Sequence, residues 1–174
     1  GTGGALSFGL KPAGTYTMGA LNLATGCTSN MAGSATITIN ALPAVHNVTV
    51  DGNGSYCSGD AGVHVKLDAS NTGTRYQLYD AFGFTVGSSV SGTGSGIDFG
   101  AKTAGTYNVV ATNNTTGCKV NMASNATVTA NPVPAVYSVT GGGGYCADLT
   151  GAMVSLDGSD GSNIQYNLYK GTTL

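Results

Sequence analysis

The chain has 174 residues with a formal charge of −2, and only 8% of them are charged, against roughly a quarter in a typical soluble domain. A nucleic-acid partner would demand a basic face, so that class is excluded. No apolar run approaches the roughly 20 residues that cross a bilayer as a helix. Apolar residues reach 41% and fall in alternating runs, which separates the chain from disordered sequences. All its acids are Asp, it has no Glu and no Trp, and Gly, Thr, Ser and Asn abound. That is a β-rich chain with a neutral surface of hydroxyls and amides.

Residues 13–39 (AGTYTMGALNLATGCTSNMAGSATITI) return 91 positions later as residues 104–130 (AGTYNVVATNNTTGCKVNMASNATVTA). Self-similarity at a fixed period marks an array. A period of about 90 residues matches one immunoglobulin-like sandwich. Two proline joints, at residues 40–45 and 131–136, punctuate the chain; proline limits strand pairing and stiffens linkers. The predicted division is residues 1–43 as the closing part of one repeat, 44–133 as a whole repeat, and 134–174 as the opening part of the next. Because the first residue falls in mid-repeat, the chain is expected to be cut from a longer array, with leader or anchor segments outside it. Neighbouring repeats, or copies in an assembly, are expected to cover the cut ends.

Within the whole repeat, residues 46–50 are predicted as the first strand, followed by a glycine-rich loop over 51–62 that holds Cys57. Residues 63–68 alternate Val63, Val65 and Leu67 with His64, Lys66 and Asp68, a period of two that suits a half-buried strand. Residues 75–80 put Tyr76 and Leu78 on one face, and shorter strands follow at 84–90 and 96–99. Residues 104–130 then read as a hairpin: Tyr107, Val109 and Ala111 face one side, 113–117 carries Asn-Gly turn chemistry, and Ala126, Val128 and Ala130 alternate on the return. This makes about seven strands with turn signals between them. A Tyr after Ala-Gly-Thr at a strand start resembles the tyrosine corner of immunoglobulin-like sandwiches. In the third copy Val154, Leu156, Tyr166 and Leu168 match Val65, Leu67, Tyr76 and Leu78, while outward neighbours and loop lengths change. The predicted fold is all-β, built of tandem immunoglobulin-like antiparallel sandwiches.

Cys57 and Cys118 lie in one repeat, with Cys146 and Cys27 as their counterparts in the flanking copies. The simplest pairing is Cys57–Cys118, leaving Cys27 and Cys146 to pair outside the chain. Closing that loop would stabilise the repeat by roughly 4 kcal/mol on the chain-entropy model. The alternatives are pairing between repeats, Cys27–Cys57 with Cys118–Cys146, or free thiols. In a standard sandwich, a cysteine before the second strand and one after the last hairpin lie at opposite ends, which weighs against the first choice. No two cysteines have the short spacing of a zinc site. Disulfides would imply an oxidising, extracellular setting.

Signals for chemistry are sparse. His64 points outward and is replaced by Met153 in the next copy, and His46 is the only other histidine. Asp51-Gly-Asn53-Gly-Ser55 resembles the start of a calcium loop, but no later acidic ligand follows, so it reads as a turn. The run 141–144 precedes no Lys-Ser/Thr and cradles no phosphate. Several Asn-x-Ser/Thr sequons, Asn47 and Asn125 among them, are expected by chance in so Asn- and Thr-rich a chain. Tyr79, Phe82, Phe84 and Tyr169 are outward aromatics, flat apolar faces for a sugar or a neighbouring repeat. The bland alternative is that the phenylalanines fold over a sheet edge. No enzyme, cofactor or metal is expected.

The pattern carried by Tyr56-Cys57, Val65, Leu67, residues 76–79, residues 104–107, Gly117-Cys118 and residues 126–129 resembles the tandem immunoglobulin-like repeats of giant Bacteroidota cell-surface adhesins, the SprB-like gliding-motility adhesins among them. It covers essentially the whole chain. The resemblance implies type IX secretion, an extracellular place on the bacterial cell surface, and adhesion to polysaccharide or abiotic surfaces, with no catalytic residues. The expected role is a structural segment giving reach and mechanical continuity, with other copies in a filament as partners. The alternatives are a glycan-binding module and a spacer array in a large secreted enzyme.

Overall fold

The computed structural model describes residues 1–171, and every regular element among them is a strand. The first stretch holds β1 (Gly14–Tyr16), β2 (Gly19–Leu21), β3 (Thr28–Asn30) and β4 (Ala35–Ile37). They form two small antiparallel pairs, β1 with β4 and β2 with β3. The middle holds β5 (Val48–Val50), β6 (Ser55–Cys57), β7 (Val63–Leu67), β8 (Thr74–Asp80), β9 (Val90–Ser91), β10 (Ile97–Lys102), β11 (Gly105–Asn113), β12 (Lys119–Asn121) and β13 (Ala126–Asn131). A last antiparallel pair joins β14 (Val139–Gly141) to β15 (Val154–Leu156).

Two sheets enclose the core. One runs β10-β7-β5; the other runs β6-β13-β11-β8-β9, with β12 beside the far half of β11. Alternation in the sequence becomes alternation in burial. β7 buries Val63, Val65 and Leu67 and turns His64 and Lys66 outward, β8 buries Tyr76 and Leu78, and β11 buries Tyr107, Val109 and Ala111. These side chains meet Val48, Ile97, Met122, Ala126 and Val128 in one cluster. Burying each large aliphatic contributes roughly 1.5–3 kcal/mol. The all-β, sandwich-like arrangement expected from the period-two pattern is present, and its core lies between Val48 and Val128.

Strand registers recur with the sequence. Gly14 faces Ile37 as Gly105 faces Val128, and Gly19 faces Asn30 as Val110 faces Asn121. At the other end Val139 faces Leu156 as Val48 faces Leu67, and Gly141 faces Val154 as Val50 faces Val65. The flanking copies lack the cover of the middle one. Ile37 and Leu156 are exposed, whereas their counterparts Val128 and Leu67 are buried. The tyrosine at the strand start closes a bond of one type in both copies that contain it. Tyr107 Oη donates to the Thr103 carbonyl at 2.9 Å, and Tyr16 Oη to the Pro12 carbonyl at 2.8 Å.

Three features depart from the sequence expectation. The stretch at 51–62 is not all loop: β6 lies in it, parallel to β13, with Ser55 opposite Thr129. Gly54 makes that approach feasible. Its φ is +76° and a Cβ would stand 2.6 Å from the Thr127 carbonyl oxygen, a contact no larger residue tolerates. The strand expected at 84–90 is reduced to a bridge between Tyr79 and Thr85 and to two-residue β9. The return leg of the 104–130 hairpin is broken in two, with Ser124 at φ 63° between β12 and β13.

The chain enters the middle copy already tied to this break. His46 N–H donates to Met122 Sδ at 3.4 Å, Val48 N–H to the Ala123 carbonyl at 3.0 Å, and Ala123 N–H to the His46 carbonyl at 2.9 Å. The joint at 40–45 therefore abuts the β12 end of the sandwich.

Candidate functional site

Of the four predicted aromatics, Phe82 and Phe84 share one turn and Tyr79 lies on the strand that leads into it. β8 ends at Asp80, whose Oδ1 accepts the N–H groups of Phe82 and Phe84, each at 2.9 Å, while Asp80 N–H donates to the Phe84 carbonyl. An Asp side chain bonding main-chain N–H groups ahead of it stabilises a tight turn. Gly83, at φ +84°, completes it. The phenylalanines do not fold back over the sheet edge. Phe82 is 86% exposed and Phe84 70%, while Tyr79 is half-buried on β8. Tyr169, 53% exposed, is the counterpart of Tyr79 in the third copy and stands apart from this turn in the repeat.

Beside the turn runs an open groove of about 370 Å³ lined by Asp80, Thr106, Asn108, Asn121, Met122 and Asn125, among others. Sequence reasoning missed it, because its walls come from three separate stretches of the chain, 80–83, 106–108 and 121–125. The available signal was the run of outward polar residues on β11 and β12, Thr106, Asn108 and Asn121. Amide and hydroxyl walls beside exposed aromatic faces offer hydrogen bonds and stacking together.

The ionisable groups pair locally. His64 Nδ1 lies 2.8 Å from Asp98 Oδ2, and Lys66 Nζ lies 2.6 Å from Asp51 Oδ1, all on the outer face or its rim. That hydrogen bond to Asp51 raises the Lys66 pKa. Desolvation pushes Asp98 upward, but hydrogen bonds from Gly100 N–H and His64 outweigh it and hold the carboxyl below its ordinary value. Asp68 is also held low, by the side chain and then the backbone N–H of Asn47. In the turn at 51–55, Gly54 N–H donates to the Asp51 carbonyl and Asn53 Oδ1 accepts from Ser55 N–H and Oγ. Its side-chain oxygens thus serve turn and sheet. His46 Nε2 bonds Asn71 Oδ1 at 2.7 Å, and its ring stands tilted 6.5 Å from Tyr76. Among the described residues, no group of three or more His, Cys, Asp or Glu side chains gathers in metal-binding geometry.

The predicted Cys57–Cys118 disulfide is corrected by topology. All four cysteines are free thiols, Cys118 half-buried and the others exposed. Cys57 is opposite Asn131, beyond the Gly105 end of β11, whereas Cys118 closes the turn at its Asn113 end, with Asn113 N–H donating to the Cys118 carbonyl. A nine-residue strand at about 3.3 Å per residue puts roughly 30 Å between them. A disulfide needs Cα atoms within about 7 Å.

No protein-family model matches the chain, and no curated protein matches it. Its surface presents an aromatic turn, a polar groove and free thiols at both ends of a two-sheet body.

Proposed function

We propose that the chain is a run of immunoglobulin-like sandwich repeats from a long extracellular adhesin of the bacterial surface, resembling the giant adhesins of Bacteroidota. Its work is reach and mechanical continuity rather than catalysis. The observation that carries this reading is the recurrence of strand register. The β11–β13 and β11–β12 pairings of the middle copy reappear in the first stretch, and its β5–β7 pairing reappears in the last. Repetition of one supersecondary unit builds length, because each unit contacts only its neighbours. A surface of few charges and many hydroxyls and amides suits exposure to solvent along that length. The test is a fluorescent antibody raised against residues 44–133 and applied to intact cells that produce the protein. Label held on the surface supports the adhesin, and label that travels adds a motility role. Label recovered only from the medium contradicts surface anchoring.

A second reading has its own observation. Phe82 and Phe84 stand in water on a turn held rigid by Asp80, beside the groove of Thr106, Asn108, Asn121 and Asn125. That combination suits a neutral glycan, whose apolar ring faces stack on aromatics while its hydroxyls pair with amides. Retention of the chain on a glycan matrix that is lost on Phe82→Ala supports this reading, and absence of retention on neutral glycans removes it.

A further inference from the structure

Cys118 lies against the joint that precedes its repeat: its thiol points to the Asn40 carbonyl at 3.9 Å. Asn40 is the counterpart, one period earlier, of Asn131. In the middle copy Asn131 is the register partner of Cys57, and its carbonyl accepts the N–H of Ser58 at 2.8 Å. Neighbouring strands stand about 4.8 Å apart. A preceding repeat folded like the middle one therefore brings its own Gly-x-Tyr-Cys cysteine one strand spacing from Asn40, where Cys118 already rests. The Asn40 carbonyl that Cys118 addresses is the counterpart of the one that faces Ser58, so both cysteines meet on the same side of Asn40, as a disulfide with Cα atoms about 4.4–6.8 Å apart requires.

We infer that the array is stapled across its joints, by a disulfide between the Cys57 position of each repeat and the Cys118 position of the next. The inference rests on the tandem-repeat reading given above. Cys27 occupies the turn of the first copy as Cys118 does in the middle one, with Asn22 N–H donating to its carbonyl, so it lies at the far end of its copy from the joint. Cys27–Cys57 and Cys118–Cys146 would each span two repeat lengths. The partner of Cys57 stands one period after Cys118, and that of Cys118 one period before Cys57, so none of the four thiols here has its partner within this sequence.

The chemistry balances with a small-molecule disulfide such as glutathione disulfide as oxidant. The Cys57 thiolate attacks one of its sulfurs and releases one thiol. The Cys118-position thiolate of the next repeat then attacks the Cys57 sulfur of the mixed disulfide and releases the second. Two protein thiols lose two electrons and two protons, and the oxidant becomes two thiols.

The staple changes how load travels. Force entering at one Cys57 position crosses to the Cys118 position of the next repeat, then follows the chain to the following Gly-x-Tyr-Cys. In this sequence that covalent segment is Cys118 to Cys146, or Cys27 to Cys57. Of every two repeats, only about 30 residues stay extensible, roughly 100 Å at full stretch. Extensible length falls about sixfold on oxidation, and the sandwiches are bypassed rather than unfolded.

The test uses the full chain with residues 44–134 present twice in succession, one full period of 91 residues that restores the proline joint, exposed to glutathione disulfide and mapped by mass spectrometry without reduction. The expected result is one bridge, from Cys57 of the first copy to Cys118 of the second, while the original chain under the same conditions forms no internal bridge. Cys57→Ser in the first copy abolishes the bridge, and the same change in the second copy leaves it intact. A bridge between Cys57 and Cys118 of one copy overturns the inference. So do free thiols throughout when circular dichroism shows both copies folded. If the added copy contributes no β signal, the repeat reading fails and the staple with it.

Discussion

The Tyr107 hydroxyl reaches back four residues to the Thr103 carbonyl at 2.9 Å, and Tyr16 makes the corresponding bond to Pro12. The bond fixes how the chain turns into β11, the strand that pairs with β8, β12 and β13. Tyr107→Phe keeps the buried ring and loses the bond, which costs roughly 1 kcal/mol. A shift of that size lowers Tm by about 4–8 °C in a domain of this size. Tyr16→Phe, in a copy without a closed core, leaves the same melting transition within about 1 °C. Differential scanning calorimetry of both variants checks the pair.

Leu78 is wholly buried, while its counterpart Leu168 is 72% exposed. Leu78→Ala is expected to cost about 2–5 kcal/mol through lost burial and the cavity left behind. Leu168→Ala falls within about 0.5 kcal/mol of the parent, as exposed substitutions do. Urea denaturation followed by tyrosine fluorescence measures both. Equal effects would contradict a core confined to the middle copy.

Gly54→Ala tests the parallel contact of β6 with β13. The new Cβ meets the Thr127 carbonyl at a backbone φ that side chains resist, so the edge strand must move away at a cost of roughly 1–3 kcal/mol. Thr129 N–H, which donates to the Gly54 carbonyl at 2.9 Å, is expected to lose hydrogen-exchange protection. Amides of β8 keep theirs.

Asp68 accepts from Asn47 Nδ2 at 2.7 Å and from its backbone N–H at 3.0 Å, and its carboxyl is held below the ordinary value by these bonds. A carboxyl with a depressed folded-state pKa stabilises the fold above its ordinary pKa, near 4. That contribution disappears as pH falls through the depressed value. The urea midpoint is therefore expected to decline as pH falls below about 4 and on through the depressed value. Asp68→Asn should start lower and decline less. An unchanged slope in that variant would show that Asp68 is not a source of the acid sensitivity.

Faces were legible from the chain, and distances across it were not. Val63, Val65, Leu67, Tyr76, Leu78, Tyr107 and Val109 declare their side by alternation, because the strand period is a local property. The tyrosine at the start of β11 stood out as a motif for the same reason, since Ala-Gly-Thr-Tyr is a local signal. β6 was hidden, since three residues among glycines carry no period and their pairing partner β13 comes much later in sequence. Ser124 gave no glycine to mark the break in the hairpin. The groove and the cysteine arrangement depend on which ends of distant strands meet. Cys57 and Cys118 look like a pair by spacing and are separated by the length of β11.

A load-bearing array of like units, as proposed for this chain, must unfold one unit at a time. The most direct measurement is single-molecule extension, under reducing conditions, of a chain carrying several successive copies of residues 44–133. One force peak per copy is expected, with equal length increments of roughly 25–30 nm, the stretched length of about 85 residues less the folded span. A featureless extension, or increments unrelated to the repeat length, would contradict it.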